Sequence, residues 1–290
     1  MGDPSGWMST SGPGPTAAND VADRGEPQVA RMYDYYLGGK DHFEADRLAA
    51  EEVLRTAPNS AKFARANRYF LQMVVEYLAR EQGVDQFLDI GTGIPTKPNT
   101  HQVAQYHRPH ARVLYTDNDP IVMTYAEALM TSTREGRVDY IEADLRRPQD
   151  ILGHPCLAGP EPVFDLERPV AVCAVAIFHF VTDEHRPGEL LRTIMEPMPS
   201  GSFLVLSHTT EDFDDAMKEA AEVYRRRKLP VRLRSGAEVE EIVSEAGLEL
   251  LEPGVRPLSR WWPGRPARLA PIPLYSDAEA SCYGLLARKP

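Results

Sequence analysis

Short apolar runs alternate with amphipathic stretches from about residue 85 to the C-terminus. Residues 86–90, 112–116, 138–143, 170–177 and 202–207 are apolar runs bounded by turn formers and read as strands. The run 170–177 is the most apolar and marks a central strand buried on both faces. Helical start and stop signals lie between the runs. Asn99 or Thr100 caps a helix over 99–107, Asp119 followed by Pro120 opens one reaching about Thr131, and a third covers 183–195. This alternation predicts an α/β fold with a doubly wound, mostly parallel sheet. A polar helix over 211–228 comes next. Ser235-x-x-Glu238 is a capping box that opens a further amphipathic helix, closed by Gly247. Two last strands, 248–255 and 283–287, complete a seven-stranded sheet, and the Pro-, Arg- and Trp-rich stretch 256–274 between them reads as a long connection.

Ahead of the sheet the period is helical. One helix spans 43–57 and stops at Pro58; a second spans 60–82, with Phe63, Phe70, Leu71, Val74, Tyr77 and Leu78 on one face, Asn59 or Ser60 as its cap and Gly83 as its end. Residues 1–27 are rich in Gly, Pro, Ser, Asp and Ala and read as a disordered tail. The expected organisation is therefore a tail over 1–27, an N-terminal helical extension over 28–83 that serves as a lid, and a cofactor-binding domain over 84–290.

Composition narrows the class. With 42% apolar and 26% charged residues, the 290-residue chain has the balance of an ordinary globular protein. A formal net charge of −11 gives no global field that attracts nucleic acid or an anionic membrane, so neither is expected as a partner. No apolar run is long enough to span a bilayer, and the N-terminus lacks the pattern of a signal peptide. Cys156, Cys173 and Cys282 are too few and too scattered for a disulfide framework or a zinc site, so a cytoplasmic protein with reduced thiols and no metal is expected.

The candidate chemistry begins at Phe87-Leu88-Asp89-Ile90-Gly91-Thr92-Gly93, a strand ending in Asp followed by Gly-x-Gly. Glycines here let the backbone turn sharply and let a ligand approach without a Cβ clash, and a helix start beyond them would offer free N–H groups. Alone, Gly-x-Gly equally fits a tight turn from strand to helix. The next strand, however, ends in Asp117-Asn118-Asp119, and the third in Glu142-Ala143-Asp144-Leu145. Asp117 is placed to accept from both hydroxyls of a ribose, and Asp144 from an exocyclic amine such as that of adenine. The bland reading of each acid is a helix cap, strongest for Asp119. A dinucleotide site would carry a third glycine over the pyrophosphate, where this chain has Pro95 and Thr96. Asp89 beside the turn is unwelcome near a diphosphate and suits a cationic amino group. S-adenosylmethionine carries adenine, ribose, a sulfonium and an amino-acid moiety without phosphate, and it fits these features better than a nicotinamide dinucleotide.

The chain resembles the class I S-adenosylmethionine-dependent methyltransferases, and within them an actinobacterial S-adenosyl methyltransferase family once classed as a domain of unknown function. The resemblance covers roughly 28–289. It rests on Arg31-Met-Tyr-Asp-Tyr-Tyr-Leu-Gly-Gly-Lys-Asp41, Ala64-Arg-Ala-Asn-Arg68, Asp89-Ile-Gly-Thr-Gly-Ile-Pro-Thr96, Tyr115-Thr-Asp-Asn-Asp-Pro120, Ala143-Asp-Leu-Arg146 and Ala176-Ile-Phe-His-Phe180. It implies a Rossmann-like sheet, S-adenosylmethionine as cofactor and methyl transfer to a small-molecule acceptor. Position by position, it implies Gly91 and Gly93 under the cofactor and Asp89 near its amino-acid end. Asp117 holds the ribose with Asn118 beside the adenine, Asp144 and the backbone of Leu145 read the adenine edge, and Ala174 with Val175 lines the methionine moiety.

The other candidates each have two readings. Tyr36 and Gly38-Gly39-Lys40-Asp41 read as a loop closing over the methionine end of the cofactor, with aromatic faces near the sulfonium, whereas Tyr33 and Phe43 read as core packing. Lys40 or Arg68 can pair with the cofactor carboxylate. His179, just past the central strand, is either a base for the acceptor or a packing residue that shapes the pocket. The basic run Arg225-Arg226-Arg227-Lys228, with Arg232 and Arg234, reads as a solvated helix end rather than a nucleic-acid site. Trp261 and Trp262 read as packing in preference to an acceptor wall, and Cys173 as an inert core thiol. The rival to an enzyme is a module that binds S-adenosylmethionine or its demethylated product without turnover.

Overall fold

Strands whose alternate side chains face opposite ways bury both faces of one sheet in the computed structural model, which describes residues 25–261 and 275–290. The tail expected over 1–27 lies, as far as residue 24, outside the described residues, as does Trp262. The strands are β1 Gln86–Ile90, β2 Arg112–Asp117, β3 Arg137–Glu142, β4 Ala171–Ala174, β5 Phe203–Thr209, β6 Glu249–Leu250, β7 Arg256–Pro257 and β8 Cys282–Arg288. They form an eight-stranded sheet in the order β3-β2-β1-β4-β5-β8-β6, with β7 pairing on β8. β1 to β5 pair in parallel, and β8 runs antiparallel to β5. The sequence predicts seven strands; the eighth is the two-residue β7, inside the stretch read as a connection.

Two strands are shorter than their apolar runs. β4 stops at Ala174 because Ala176 turns into the left-handed region (φ 57°), with its N–H on Ser207 Oγ at 2.8 Å. The run 248–255 pairs only over Glu249–Leu250, because Leu251 and Gly254 close a turn at Pro253.

The helices are α1 Val29–Leu37, α2 Glu44–Thr56, α3 Ser60–Arg80, α4 Thr100–His107, α5 Pro120–Leu129, α6 Pro148–Leu152, α7 Pro155–Ala158, α8 Pro187–Met195, α9 Ala216–Arg226, α10 Gly236–Glu245 and α11 Asp277–Ala280. The Asn99, Asp119 and Ser235 caps stand where the sequence puts them. Neither Asn59 nor Ser60 caps α3 with its side chain; Ser60 Oγ donates to the Ala57 carbonyl instead. The helix read over 183–195 is broken at Arg186, because Pro187 restricts the residue before it and opens α8.

Phe87, Val113, Tyr115, Cys173 and Val205 face one side of the sheet, against Phe70, Leu71, Val74 and Leu78 of α3. Leu88, Leu114, Val172, Leu204 and Leu285 face the other, against α8 and α10. Trp261 is fully buried on the first side, edge-on to Phe70, with its indole N–H on the Gly254 carbonyl. α3 is thus part of the sheet's own helical cover, and α1 and α2 pack beyond it with α9.

The N-terminal helices are bolted to the sheet edge by charge. Arg31 on α1 reaches Asp46 on α2 at 2.8 Å and Asp119, the cap of α5, at 2.9 Å, and all three are buried. Asp46 also accepts the backbone N–H groups of Gln28 and Phe43.

Candidate functional site

A cleft of about 380 Å³ opens at the carboxyl ends of β1 to β4. The strand order reverses there, between β1 and β4, the place where open parallel sheets bind ligands. Its floor is the turn after β1. Gly91 (φ 70°) and Gly93 (φ 66°) are both in the left-handed region, which glycine enters without cost. A Cβ on Gly91 would sit 2.6 Å from Ile177 Cγ1, so that glycine is required by the protein's own packing before any ligand arrives. The turn does not lead straight into a helix as the sequence suggests. Pro95 and Pro98 intervene, and α4 begins only at Thr100, so its N-terminus does not follow directly on the glycines.

Three strand-end carboxylates line this cleft. Asp117 Oδ2 accepts from Gly93 N–H at 2.9 Å, and Oδ1 from Asp119 N–H at 3.0 Å. Burial pushes its carboxyl up to about 6, against the pull of these amides. Asp89, buried on the α3 side of β1, accepts from Thr100 Oγ1 at 2.6 Å, and its pKa is also raised by burial. Asp144 is opposed by burial too, but its pKa is lowered overall because the Arg146 guanidinium and amide both donate to it. Exposed Asn118 and buried Leu145 complete the side of the cleft beside β2 and β3.

The remaining walls come from outside the sheet. Residues 26–30 and Tyr33 form one of them, held by the Arg31 ion pairs. Arg68 of α3 stands beside Asp89, with Nη2 donating to the carbonyls of Thr96 (2.5 Å) and Pro98 (3.0 Å) while its buried Nε has no hydrogen-bond partner. Residues 227–230 close the far side, where Arg227 is tied to Glu52 at 2.7 Å. No group of His, Cys, Asp and Glu suited to a metal occurs among the described residues.

Of the residues singled out from sequence, Arg68, Asp89, Gly91, Gly93, Asp117, Asn118, Asp144 and Leu145 meet in this cleft. Tyr36, Gly38, Lys40, Ala174 and His179 do not. Gly38 (φ 82°) terminates α1, and a Cβ on Gly39 would lie 1.8 Å from Asp34 Oδ1. Asp34 in turn accepts from Asp41 N–H (2.9 Å) and from His42 Nδ1 (3.0 Å). The Gly-Gly-Lys-Asp string is therefore a helix stop built around a buried carboxylate, with Lys40 exposed to solvent. Ala174 points into the core, and Val175, Ala176 and Ile177 line the cleft in its place. Tyr36 and His179 line a second cavity beside the first.

The sequence reads Tyr33 as core packing and Arg227 and Lys228 as a solvated helix end, with the segment of about 208–235 as a lid over the site; the structure puts Tyr33 and residues 227–230 in the cleft wall. Tyr33 was legible as the i+4 partner of Val29 on one face of α1, since both line the cleft. Lys228 (φ 61°) follows the end of α9, and the turn there brings residues 227–230 back to the cleft.

The profile of a family described as S-adenosyl methyltransferase matches residues 15–290. A crystal structure of a DUF574 family protein from Streptomyces avermitilis is similar at 44% sequence identity, over 93% of this chain and 100% of that one, with a TM-score of 0.85. That of a candidate methyltransferase from Thermobifida fusca is 33% identical, over 93% of this chain and 97% of that one, with a TM-score of 0.81. An O-methyltransferase family protein from Burkholderia thailandensis shares the fold at 13% identity and a TM-score of 0.50, over 94% of this chain and 67% of that one. No curated protein matches the chain.

Proposed function

Because the chain belongs to the S-adenosyl methyltransferase family, we propose that it transfers the methyl group of S-adenosylmethionine to a small-molecule acceptor. The observation that carries this reading is the convergence of Asp89, Asp117 and Asp144 on one cleft beside Gly91 and Gly93. The cleft fits the cofactor on three counts. Its volume, about 380 Å³, is that of a small-molecule site. Asp89 is a buried carboxylate whose hydrogen-bond donor is a neutral hydroxyl, so a cationic amino group compensates it. Arg68 keeps a buried, unpartnered Nε next to it, suited to a carboxylate. Together Asp89 and Arg68 match the two charges of an amino-acid zwitterion, while Asp117 keeps lone pairs for ribose hydroxyls and Asp144 with Asn118 faces the adenine.

Bound there, the cofactor supplies an electrophilic methyl group on a sulfonium that leaves as a neutral thioether. The chain's own work is to align and to exclude water. Tyr33 and residues 26–30 cover the cleft from one side, and 227–230 from the other. The three cysteines are free thiols, two of them buried, which supports a cytoplasmic setting.

Incubation with methyl-labelled S-adenosylmethionine and a small-molecule extract tests the assignment. Label is expected to move into an extract component, with S-adenosylhomocysteine formed in equal amount. Micromolar affinity for S-adenosylhomocysteine with no acceptor labelled in any extract would instead make the protein a binding module, and preference for a nicotinamide dinucleotide in calorimetry would overturn the cofactor.

A further inference from the structure

A second cavity of about 50 Å³ adjoins the cleft and shares Val29, Tyr33, Ala176 and Phe180 with it. It lies between α1, α3, α9 and the turn after β4, and no Asp, Glu, Lys or Arg lines it. Most of its polar atoms are already engaged. Tyr33 and Ser60 donate to the carbonyls of Ala64 and Ala57, Thr209 donates to that of Ser281, and the hydroxyls of Tyr36 and Tyr224 pair at 3.2 Å. One residue of the wall stands out. His179, 4% exposed, keeps its Nδ1 buried with no hydrogen-bond partner.

The surroundings hold that imidazole neutral. Burial lowers its pKa well below the usual histidine value, and His208 and Arg234 add to the effect. The His208 ring stands edge-on at 5.9 Å, with its Nε2 accepting from Arg234 at 3.0 Å and its Nδ1 donating to the Thr209 carbonyl. The rings of Phe63 and Phe180 pack on the other sides. Arg234 fixes the turn itself through the carbonyls of Phe178 and Val181, with Asp183 as its counter-charge.

We propose that this chamber receives the reacting end of the methyl acceptor, that the acceptor is an uncharged, largely apolar compound bearing a hydroxyl, and that the hydroxyl donates to Nδ1 of His179. The proposal rests on the cofactor assignment above. An uncharged wall gives nothing to balance a carboxylate, a phosphate or an ammonium. An aliphatic amine, protonated near neutrality, would have to shed a proton before entering. A hydroxyl enters neutral, donates one hydrogen bond and keeps a lone pair for attack. Transfer forms the O–C bond and breaks the C–S bond, whose electron pair stays on sulfur. The O–H bond breaks as the oxygen gains oxonium acidity, so a weakly basic Nδ1 suffices to take the proton and pass it to solvent. The chamber is smaller than the roughly 150 Å³ that admits benzene, so a full ring enters as the adaptable Met217 side chain moves.

Imidazole-labelled protein saturated with S-adenosylhomocysteine and titrated with phenol, benzoate and benzylamine provides the test by nuclear magnetic resonance. Phenol is expected to move the His179 Nδ1 resonance saturably, and the two charged compounds to leave it in place. Read by calorimetry, since it removes that resonance, His179→Phe should weaken phenol at least tenfold and leave S-adenosylhomocysteine affinity within twofold. Ala220→Leu, which fills the chamber from α9, should do the same and serves if the histidine variant does not fold. Equal binding of benzoate or benzylamine, no phenol response, or phenol binding indifferent to both variants would overturn the proposal while leaving the cofactor assignment intact. Failure of S-adenosylhomocysteine to bind at all would remove that assignment and this one with it.

Discussion

Exchange of Arg31 for methionine is expected to destabilise the protein by about 3–5 kcal/mol, the cost of breaking a buried ion pair by removing one partner. Arg31 is 3% exposed and Asp46 is wholly buried, with Asp119 close behind. Without the guanidinium, two carboxylates are left facing each other out of water. For a domain of this size the loss corresponds to a fall of about 10 °C in Tm, read by thermal unfolding. The variant should also bind S-adenosylhomocysteine more weakly, because residues 26–30 line the cleft and Gln28 shares Asp46 with Arg31. Asp46→Asn in the same chain removes one of the stranded charges and should restore part of the stability. Wild-type Tm in the single variant would show that the N-terminal helices are held by apolar contact alone.

The largest effect on binding is expected at Asp117. Asp117→Asn removes a charged acceptor for two ribose hydroxyls, each such bond contributing about 1.5–3 kcal/mol, so affinity for S-adenosylhomocysteine should fall by at least about 100-fold. The pH dependence gives a second signature. Burial pushes this carboxyl up to about 6 in the empty protein, and the hydroxyls need the ionised form. Wild-type affinity should therefore hold above pH 7 and drop about tenfold by pH 5, whereas the asparagine variant should be flat over that range. The sign for stability is opposite. A raised carboxyl contributes most when protonated, so the empty protein gains from this group as pH falls from about 6 towards 4. Relief of that burial at neutral pH, on the order of 3 kcal/mol, is offset in the variant by one orphaned amide of Gly93 or Asp119, about 1–3 kcal/mol. Tm should therefore move little, which separates a binding defect from an unfolding one. Calorimetry at pH 5 and 7.5 reads both outcomes, and a tight, pH-independent wild type would assign the ribose elsewhere.

The parts of the site that sequence exposes are those fixed by local periodicity. An apolar strand has only one carboxyl end, so Asp89, Asp117 and Asp144 had to meet at one edge once β1, β2 and β3 were read as parallel neighbours. Gly91 and Gly93 were legible because a sharp turn after a strand needs positive φ. What stayed hidden depends on tertiary contacts. Gly38 and Gly39 read as a loop closing over the methionine end of the cofactor, yet their small size serves Asp34 and the end of α1. Ala176 carries no glycine signal for its left-handed φ of 57°; a relay from Ala176 N–H to Ser207 Oγ and on to Asn67 on α3 holds it there. That bend moves the lining of the cleft from Ala174 to Val175, Ala176 and Ile177. Arg234 reads as one charge in a basic run, but it is 3% exposed and clamps the turn that carries His179.

A crystal structure of the protein grown with S-adenosylhomocysteine tests the central claim most directly. The ribose is expected within about 2.7–3.2 Å of the Asp117 carboxylate, the amino-acid end between Asp89 and Arg68, and the thioether sulfur at the opening shared with the His179 chamber. Density for the ligand at any other place, or a cleft left empty at saturating concentration, would contradict it.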